Sequence, residues 1–287
     1  MSISLLLCTD LDRTLIPNGR EPESPDARPR FHRFVAQAGI TLAYVTGRHQ
    51  TLVEQAIAEY ALPWPDYVIG DVGTSIQAVQ LNADGAARWS PLPRWLDVIT
   101  QTWPGPRTLQ ALFADLAGLR LQEDAKQTPF KLSYYVSLDL DADDLLARLN
   151  ERLASAETRA NLIWSVDETA AVGLLDVLPE QAGKYHAVAF LMRALGCGES
   201  ATVFAGDSGN DLEVLTSPIP SILVANAHPQ IREQAHRAAA ARGLEVRLYC
   251  ARGGWSGMNG NYGAGILEGV AHFRPDLLDL LLASGDG

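Results

Sequence analysis

Short apolar runs alternate with amphipathic segments along the first 80 residues of the chain. Residues 3–9 and 40–45 are apolar runs of strand length, and a third run begins at residues 67–69. Between them, residues 28–38 and 49–60 carry apolar side chains at helical spacing. This alternation predicts a βαβαβ unit, in which helices cover a parallel sheet.

The pattern changes between about residues 84 and 177. Prolines become frequent, and a strand is then predicted at 131–138, an Asp-rich helix start at 139–144 with the helix reaching residue 154, and a strand at 160–166. A helix between two strands, outside the earlier alternation, predicts a small α+β unit inserted into the chain.

After Pro179 the alternation of strands and helices resumes. The sequence predicts strands at 201–205, 221–225 and 246–249, and helices at 185–195, from 211, at 229–241 and at 264–273. The predicted fold class is α/β, a doubly wound parallel-sheet core with an inserted α+β domain. Residues 1–84 and 178–287 are assigned to the discontinuous core, and residues 85–177 to the insertion.

The chain has 287 residues and a formal net charge of −11. This charge repels nucleic acids and anionic membranes, so neither is an expected partner, and an anionic substrate would need a local cation. No run reaches the ~20 apolar residues of a membrane span, and no signal peptide is predicted. Cys8, Cys197 and Cys250 fit neither a disulfide framework nor a zinc site, and a cytoplasmic protein is predicted.

Two carboxylates follow the first predicted strand. Asp10 and Asp12 lie two residues apart, at the end of the strand where open α/β sheets bind their ligands. One carboxylate of such a pair can attack a substrate or hold a metal while the other donates or accepts a proton. A pair of loop acids, one of them capping a turn, is the alternative interpretation.

Two further motifs follow later strands. Thr46-Gly47-Arg48 offers a hydroxyl and free N–H groups at a helix start, which suit an anion, although an ordinary threonine N-cap has the same pattern. Asp207 and Asp211 lie on either side of small residues, and hard oxygen ligands on such a turn suit Mg²⁺.

Lysine is rare in this chain. Of 23 basic residues only three are lysines, namely Lys126, Lys131 and Lys184. The ammonium group is a compact point charge, and it contacts phosphate without the bidentate grip of arginine. Lys184, which begins a predicted helix, is therefore a candidate phosphate contact, with chance as the alternative.

The motifs, in this order, resemble the haloacid dehalogenase-like superfamily of aspartate-nucleophile phosphatases, which can carry an inserted α+β cap. Further segments resemble the sucrose-phosphate phosphatases, with the mannosylfructose-phosphate phosphatases close behind, and these segments are residues 65–68, 72–74, 129–134, 224–229 and 265–273. The resemblance implies that the core is catalytic and that the insertion, residues 85–177, is a cap that determines substrate specificity.

The resemblance also implies roles for individual residues. Asp10 would be the nucleophile, and Asp12 would protonate the leaving oxygen and then activate water. Mg²⁺ would bind the Asp10 carboxylate, the backbone carbonyl of Asp12 and Asp207, with Asp211 in support. Arg13 departs from the small or neutral residue that is common at this place, and it either assists substrate entry or points to solvent.

Substrate contacts are implied in both parts of the chain. Those expected at the phosphate are Thr46, Gly47, Arg48, Lys184 and Asn210, and those expected at the sugar are Lys131 and Ser133 of the cap. The implied reaction is Mg²⁺-dependent hydrolysis of a sugar phosphate through an aspartyl-phosphate, with sucrose 6-phosphate as the first substrate. Mannosylfructose phosphate, glucosylglycerol phosphate and hexose phosphates are alternatives, as is a non-catalytic sugar-phosphate sensor. A sucrose-phosphate synthase is the candidate partner.

Overall fold

Two sheets organise the residues that this computed structural model describes, 3–167 and 170–283. The strands are, in chain order, β1 (Leu5–Thr9), β2 (Ile40–Val45), β3 (Tyr67–Gly70), β4 (Ser75–Leu81), β5 (Ala87–Pro91), β6 (Leu119–Leu121), β7 (Leu132–Val136), β8 (Asn161–Asp167), β9 (Val172–Leu178), β10 (Thr202–Gly206), β11 (Ser221–Leu223) and β12 (Leu248–Cys250). The larger sheet has the order β12-β11-β10-β1-β2-β3-β4-β5. Its strands pair in parallel from β12 to β3, and β4 and β5 are antiparallel to their neighbours.

Strand β1 lies at the centre of the larger sheet and is buried along its whole length. Leu5 and Leu7 pack into one hydrophobic cluster, whereas Leu6 and Cys8 pack into a second cluster on the opposite face. Successive side chains of a strand point to opposite faces, so a strand covered on both sides has a continuous apolar sequence.

Helices cover both faces of the larger sheet. The helices are, in chain order, α1 (Ala27–Val35), α2 (Gln50–Tyr60), α3 (Trp95–Ile99), α4 (Pro106–Leu112), α5 (Ala142–Ser155), α6 (Lys184–Leu195), α7 (Leu212–Leu215), α8 (Pro229–Arg242), α9 (Gly263–Phe273) and α10 (Leu278–Ala283). Helices α1, α2 and α9 pack on one face, and α3, α6 and α8 on the other. This arrangement confirms the predicted α/β fold class. None of the described helices is long and apolar enough to cross a membrane.

The smaller sheet is antiparallel throughout, with the order β6-β7-β9-β8. Helix α5 packs against it through Leu145, Leu149 and Leu153, which lie four residues apart on one helix face. The Asp141 carboxylate caps α5 by accepting two backbone N–H groups of the first turn. The predicted inserted α+β unit is this sheet with its helices.

The predicted start of the insertion at residue 85 needs correction. Ala87–Pro91 forms strand β5 and pairs with β4 in the larger sheet. In α3, Trp95 and Ile99 are buried in the hydrophobic cluster of the larger sheet. The sequence analysis missed this because the prolines of the segment mask an edge hairpin and a five-residue helix. The rest of the domain division stays a prediction.

Candidate active site

The carboxyl ends of four neighbouring parallel strands meet at one edge of the larger sheet. Asp10 follows β1, Thr46 follows β2, Asp71 follows β3 and Asp207 follows β10. This is the edge at which open α/β sheets bind ligands. It borders a cavity of about 1270 Å³ whose lining also includes residues of the smaller sheet, among them Asp176.

Lys184 joins two of the predicted site carboxylates. Its Nζ lies 3.0 Å from Asp10 Oδ1 and 2.7 Å from Asp211 Oδ1, and it donates a 2.8 Å hydrogen bond to Asn210 Oδ1. Lys184 is the first residue of α6 and is only 1% exposed. Burial disfavours its charge, but the carboxylates of Asp10 and Asp211 outweigh burial and raise the pKa of Lys184. The surrounding carboxylates therefore favour a charged Lys184 in spite of its burial.

Three buried carboxylates converge beside this lysine. Asp10, Asp207 and Asp211 each offer an oxygen, and these oxygens lie within 4.8 Å of one another. Asp211 is already occupied by the protein, because Oδ1 accepts the Lys184 hydrogen bond and Oδ2 accepts the N–H groups of Asp207 and Ser208, both at 3.1 Å. Asp211 is thus held as a supporting group, and Asp10 and Asp207 are the better candidates for direct metal ligands.

The electrostatics of the carboxylate cluster fit a divalent cation. Burial raises the pKa of Asp10 to about 7, although Lys184 opposes the rise. Burial, together with the charges of Asp10 and Asp211, raises the pKa of Asp207 well above its ordinary range. Three carboxylates thus face two cations, Lys184 and Arg13, whose Nε lies 3.5 Å from Asp207 Oδ2, and a hard divalent cation bound to carboxylate oxygens would offset the remaining negative charge.

Asp12 is held by two side chains. Arg48 donates from Nε to Asp12 Oδ2 at 2.8 Å and from Nη2 to Oδ1 at 2.6 Å, and Asn18 donates from Nδ2 to Oδ1 at 2.8 Å. Burial opposes the effect, but the hydrogen bonds and charge of Arg48 lower the pKa of Asp12. Arg48 was expected at the phosphate; in this structure its guanidinium binds Asp12.

The other two residues of the Thr46-Gly47-Arg48 motif have different places. Thr46 is fully buried, and its Oγ1 accepts the backbone N–H of Arg48 at 3.2 Å. Gly47 lines the cavity. In this motif Gly47 therefore borders the cavity, and Thr46 positions Arg48, the residue that hydrogen-bonds Asp12.

Lys131 is the predicted sugar contact of the smaller sheet, and it is buried among carboxylates. Its Nζ lies 3.5 Å from Asp71 Oδ1. Burial raises the pKa of Asp176, and the positive charge of Lys131 opposes this rise. Ser133 is fully buried and its hydroxyl donates to Asp176, which lines the cavity. Ser133 does not itself line the cavity, but its hydroxyl hydrogen-bonds Asp176 and the Lys126 carbonyl, two residues that do.

A family model for sucrose-6F-phosphate phosphohydrolase matches residues 3–274. The chain belongs to this family. Its members' reaction confirms the expected enzyme class, so the protein is a phosphoric monoester hydrolase of the haloacid dehalogenase-like type.

Relatives of this phosphohydrolase span most of the chain. A HAD-like hydrolase from Nitrosococcus oceani is 51% identical over 278 residues, which are 96% of this chain and 73% of that protein. The mannosylfructose-phosphate phosphatase of Agrobacterium fabrum is 30% identical over 81% of this chain and 87% of its own length. The structure of the sucrose-phosphatase from Synechocystis sp. PCC6803, in complex with sucrose and phosphate, has a TM-score of 0.77 at 25% identity, covering 96% of this chain and 99% of that one.

Three residues that the structure places beside the predicted site residues were not singled out from the sequence. Asn18 and Asp176 line the cavity, and Asp71 pairs with Lys131. Asp71 carried a usable signal, because it directly follows the third parallel strand, as Asp10 follows the first. Asp176 gave no such signal, since its partner Ser133 lies 43 residues away and becomes a neighbour only in the folded chain. Asn18 lies six residues after its partner Asp12, but nothing in the loop sequence marked that contact.

Proposed function

We propose that this chain is a Mg²⁺-dependent phosphatase of a phosphorylated disaccharide, with sucrose 6-phosphate as its first candidate substrate. The observation that carries the proposal is one cavity that Asp10 and Asp207 line at the edge of the larger sheet and that Lys131 and Asp176 line at the smaller sheet. One side offers phosphate chemistry, and the other offers charged groups that suit sugar hydroxyls.

In the first half of the reaction, an oxygen of Asp10 attacks phosphorus and the bond from phosphorus to the sugar oxygen breaks. Asp12 gives its proton to that leaving oxygen, so a neutral sugar hydroxyl departs and Asp10 carries the phosphoryl group. Lys184, 3.0 Å from Asp10, keeps a positive charge at the point where the phosphoryl group arrives.

In the second half, the Asp12 carboxylate takes a proton from a water molecule, and the water oxygen attacks the aspartyl-phosphate. The bond between Asp10 and phosphorus breaks, and inorganic phosphate leaves. Arg48 and Asn18 suit Asp12 to this step, because they hold it as an oriented carboxylate. The first half of the reaction requires protonated Asp12, so the hydrogen bonds from Arg48 to Asp12 have to break when the substrate binds.

Mg²⁺ is the proposed metal of the site. Its ligands would be the carboxylates of Asp10 and Asp207 and the backbone carbonyl of Asp12, and the bound ion would offset the negative charge of the phosphate. Asp211, with both oxygens engaged by Lys184 and backbone N–H groups, would keep Asp207 in place.

Two relatives favour particular sugars as the substrate. The Synechocystis sucrose-phosphatase bound to sucrose and phosphate supports sucrose 6-phosphate. The Agrobacterium relative, a mannosylfructose-phosphate phosphatase, makes mannosylfructose phosphate the second candidate. Glucosylglycerol phosphate and hexose phosphates come after these.

The test is a phosphate-release screen of the purified protein with Mg²⁺ and a panel of sugar phosphates. We expect the highest kcat/KM for a disaccharide phosphate, and loss of activity with excess EDTA. The Asp10→Asn protein, purified in parallel, controls for contaminating phosphatases. A hexose phosphate preferred over every disaccharide phosphate would contradict the substrate assignment, and full activity in EDTA would contradict the metal assignment.

We also propose the cytoplasm as the location and a sucrose-phosphate synthase as a partner. A phosphorylated sugar does not cross membranes unaided, so the phosphatase has to share the compartment in which its substrate is made. Co-elution of the two purified proteins in gel filtration would support the partner, and separate elution at micromolar concentrations would count against it.

A further inference from the structure

Arg13 points at the proposed metal site. Its Nε lies 3.5 Å from Asp207 Oδ2, and the other oxygen of Asp207 accepts a 3.1 Å hydrogen bond from the Thr14 hydroxyl. Arg13 therefore does not point to bulk solvent, and it lines the cavity, so the other alternative that the sequence left open, assistance to substrate entry, stays a prediction.

The backbone of Arg13 is fixed in the conformation that aims its side chain inward. Arg13 has a φ of 60°, a left-handed value that costs energy for residues other than glycine. Its N–H donates to Asn18 Oδ1 at 2.8 Å, and its carbonyl accepts from Asn226 Nδ2 at 2.6 Å. Its Nη2 donates to the Asn226 carbonyl at 3.4 Å. These contacts hold the guanidinium beside Asp207.

Each of the two cations in the cluster has its own carboxylate partners. Lys184 serves Asp10 and Asp211, both within 3.0 Å of its Nζ, and Arg13 serves Asp207. Burial raises the pKa of Asp207, and the charge of Arg13 opposes that rise. A guanidinium beside Asp207 Oδ2 also repels a divalent cation that approaches the same carboxylate.

We propose that Arg13 is the counter-cation of Asp207 in the metal-free protein and competes with the divalent metal for that carboxylate. Arg13 thereby stabilises the protein without metal and lowers its metal affinity, so that metal occupancy follows the concentration of the ion in solution. The inference rests on the proposed metal site at Asp10 and Asp207.

The test is metal binding by Arg13→Gln, which removes the charge but keeps a side chain of similar reach. Isothermal titration with Mg²⁺, and with Mn²⁺ as a second probe, should give a Kd about tenfold lower than that of the unaltered protein. With EDTA present, the variant should melt at a lower temperature than the unaltered protein, and its melting temperature should rise more when metal is added.

Three further variants complete the experiment. Arg13→Gly also removes the charge and suits a φ of 60°, so it keeps the test valid if the glutamine variant does not fold. Arg13→Lys keeps a cation, and its Kd for Mg²⁺ should fall between the value of the unaltered protein and that of Arg13→Gln. Arg20→Gln makes the same change of charge at an exposed position of the same loop, and should leave the metal affinity unaltered.

The outcomes separate the two proposals. If the unaltered protein binds metal and both charge-removing variants bind it no more tightly, the role of Arg13 is wrong and the metal site stands. If neither the unaltered protein nor any variant binds Mg²⁺ or Mn²⁺, the proposed metal site is wrong, and so is the proposed competition by Arg13. If Arg20→Gln tightens metal binding as much as Arg13→Gln does, the effect comes from net charge, and Arg13 does not compete specifically for Asp207.

Discussion

Lys131, which directly precedes β7 of the smaller sheet, and Asp71, which directly follows β3 of the larger sheet, form an ion pair with 3.5 Å between Nζ and Oδ1. The backbone N–H of Asp71 donates to the carbonyl of Arg48, the last residue of the Thr46-Gly47-Arg48 motif, at 3.1 Å. The adjoining Gly73 packs so closely on the start of α6 that a Cβ there would lie 2.4 Å from the Gly183 backbone. The proposed sugar contact is thus tied to the loops that surround the proposed phosphate site.

Lys131→Ala should lower kcat/KM for the preferred disaccharide phosphate by about tenfold to a hundredfold, because a charge-assisted contact to the sugar is lost. Hydrolysis of p-nitrophenyl phosphate should change little, since that molecule lacks sugar hydroxyls. Steady-state kinetics with both substrates give the comparison, and Arg107→Gln, an exposed change in the same part of the chain, is the control. Equal losses on both substrates would place Lys131 in the chemistry or the fold.

Ser133→Ala should have a smaller effect of the same kind. The buried hydroxyl orients Asp176 and does not itself line the cavity, so its loss should raise KM for the sugar phosphate by about twofold to tenfold, with kcat nearly unchanged. Ser137→Ala, at the exposed end of the same segment, should leave KM unaltered. A fall in kcat on p-nitrophenyl phosphate would show that Ser133 acts on the phosphate side.

Asp10→Asn should abolish turnover, with a loss of about 10³-fold or more, because an amide is no nucleophile. The measurement is phosphate release at saturating substrate with Mg²⁺. Circular dichroism of the variant shows whether the fold is intact. Activity within tenfold of the unaltered protein would exclude Asp10 as the nucleophile.

The stability of the metal-free protein should depend on pH through Asp10. Burial raises the pKa of Asp10 from an ordinary value of 3.8 to about 7, so the folded state binds this proton more tightly than the unfolded state. The free energy of unfolding should therefore fall as pH rises from about 4 to about 7. Asp10→Asn removes this titration, so its melting temperature in EDTA should exceed that of the unaltered protein by a margin that grows over this range. A margin that stays constant with pH would contradict the assignment.

The sequence was most informative about residues that follow the predicted strands of the parallel sheet. Asp10 and Asp207 directly follow strands whose apolar runs are easy to see, and Asp211 lies in the turn after Asp207, so their meeting at one sheet edge could be predicted from the parallel topology. The burial of Lys131 among carboxylates could not be predicted, because Asp71 lies 60 residues before it and the contact exists only once the two sheets are packed. The same holds for the contact of Arg48 with Asp12. The direction of Arg13 depends on a left-handed backbone, which the sequence does not reveal.

An endoproteinase that cleaves after lysine can probe the conformational opening of this protein at three sites. One cut, after Lys126, lies at an exposed turn and should come first. A second, after Lys131, requires the ion pair with Asp71 to open, and the third, after the fully buried Lys184, requires the core itself to unfold. The order of bands on a gel therefore reports three successive levels of opening, and a ligand that holds the two sheets together should delay the second band while leaving the first in place.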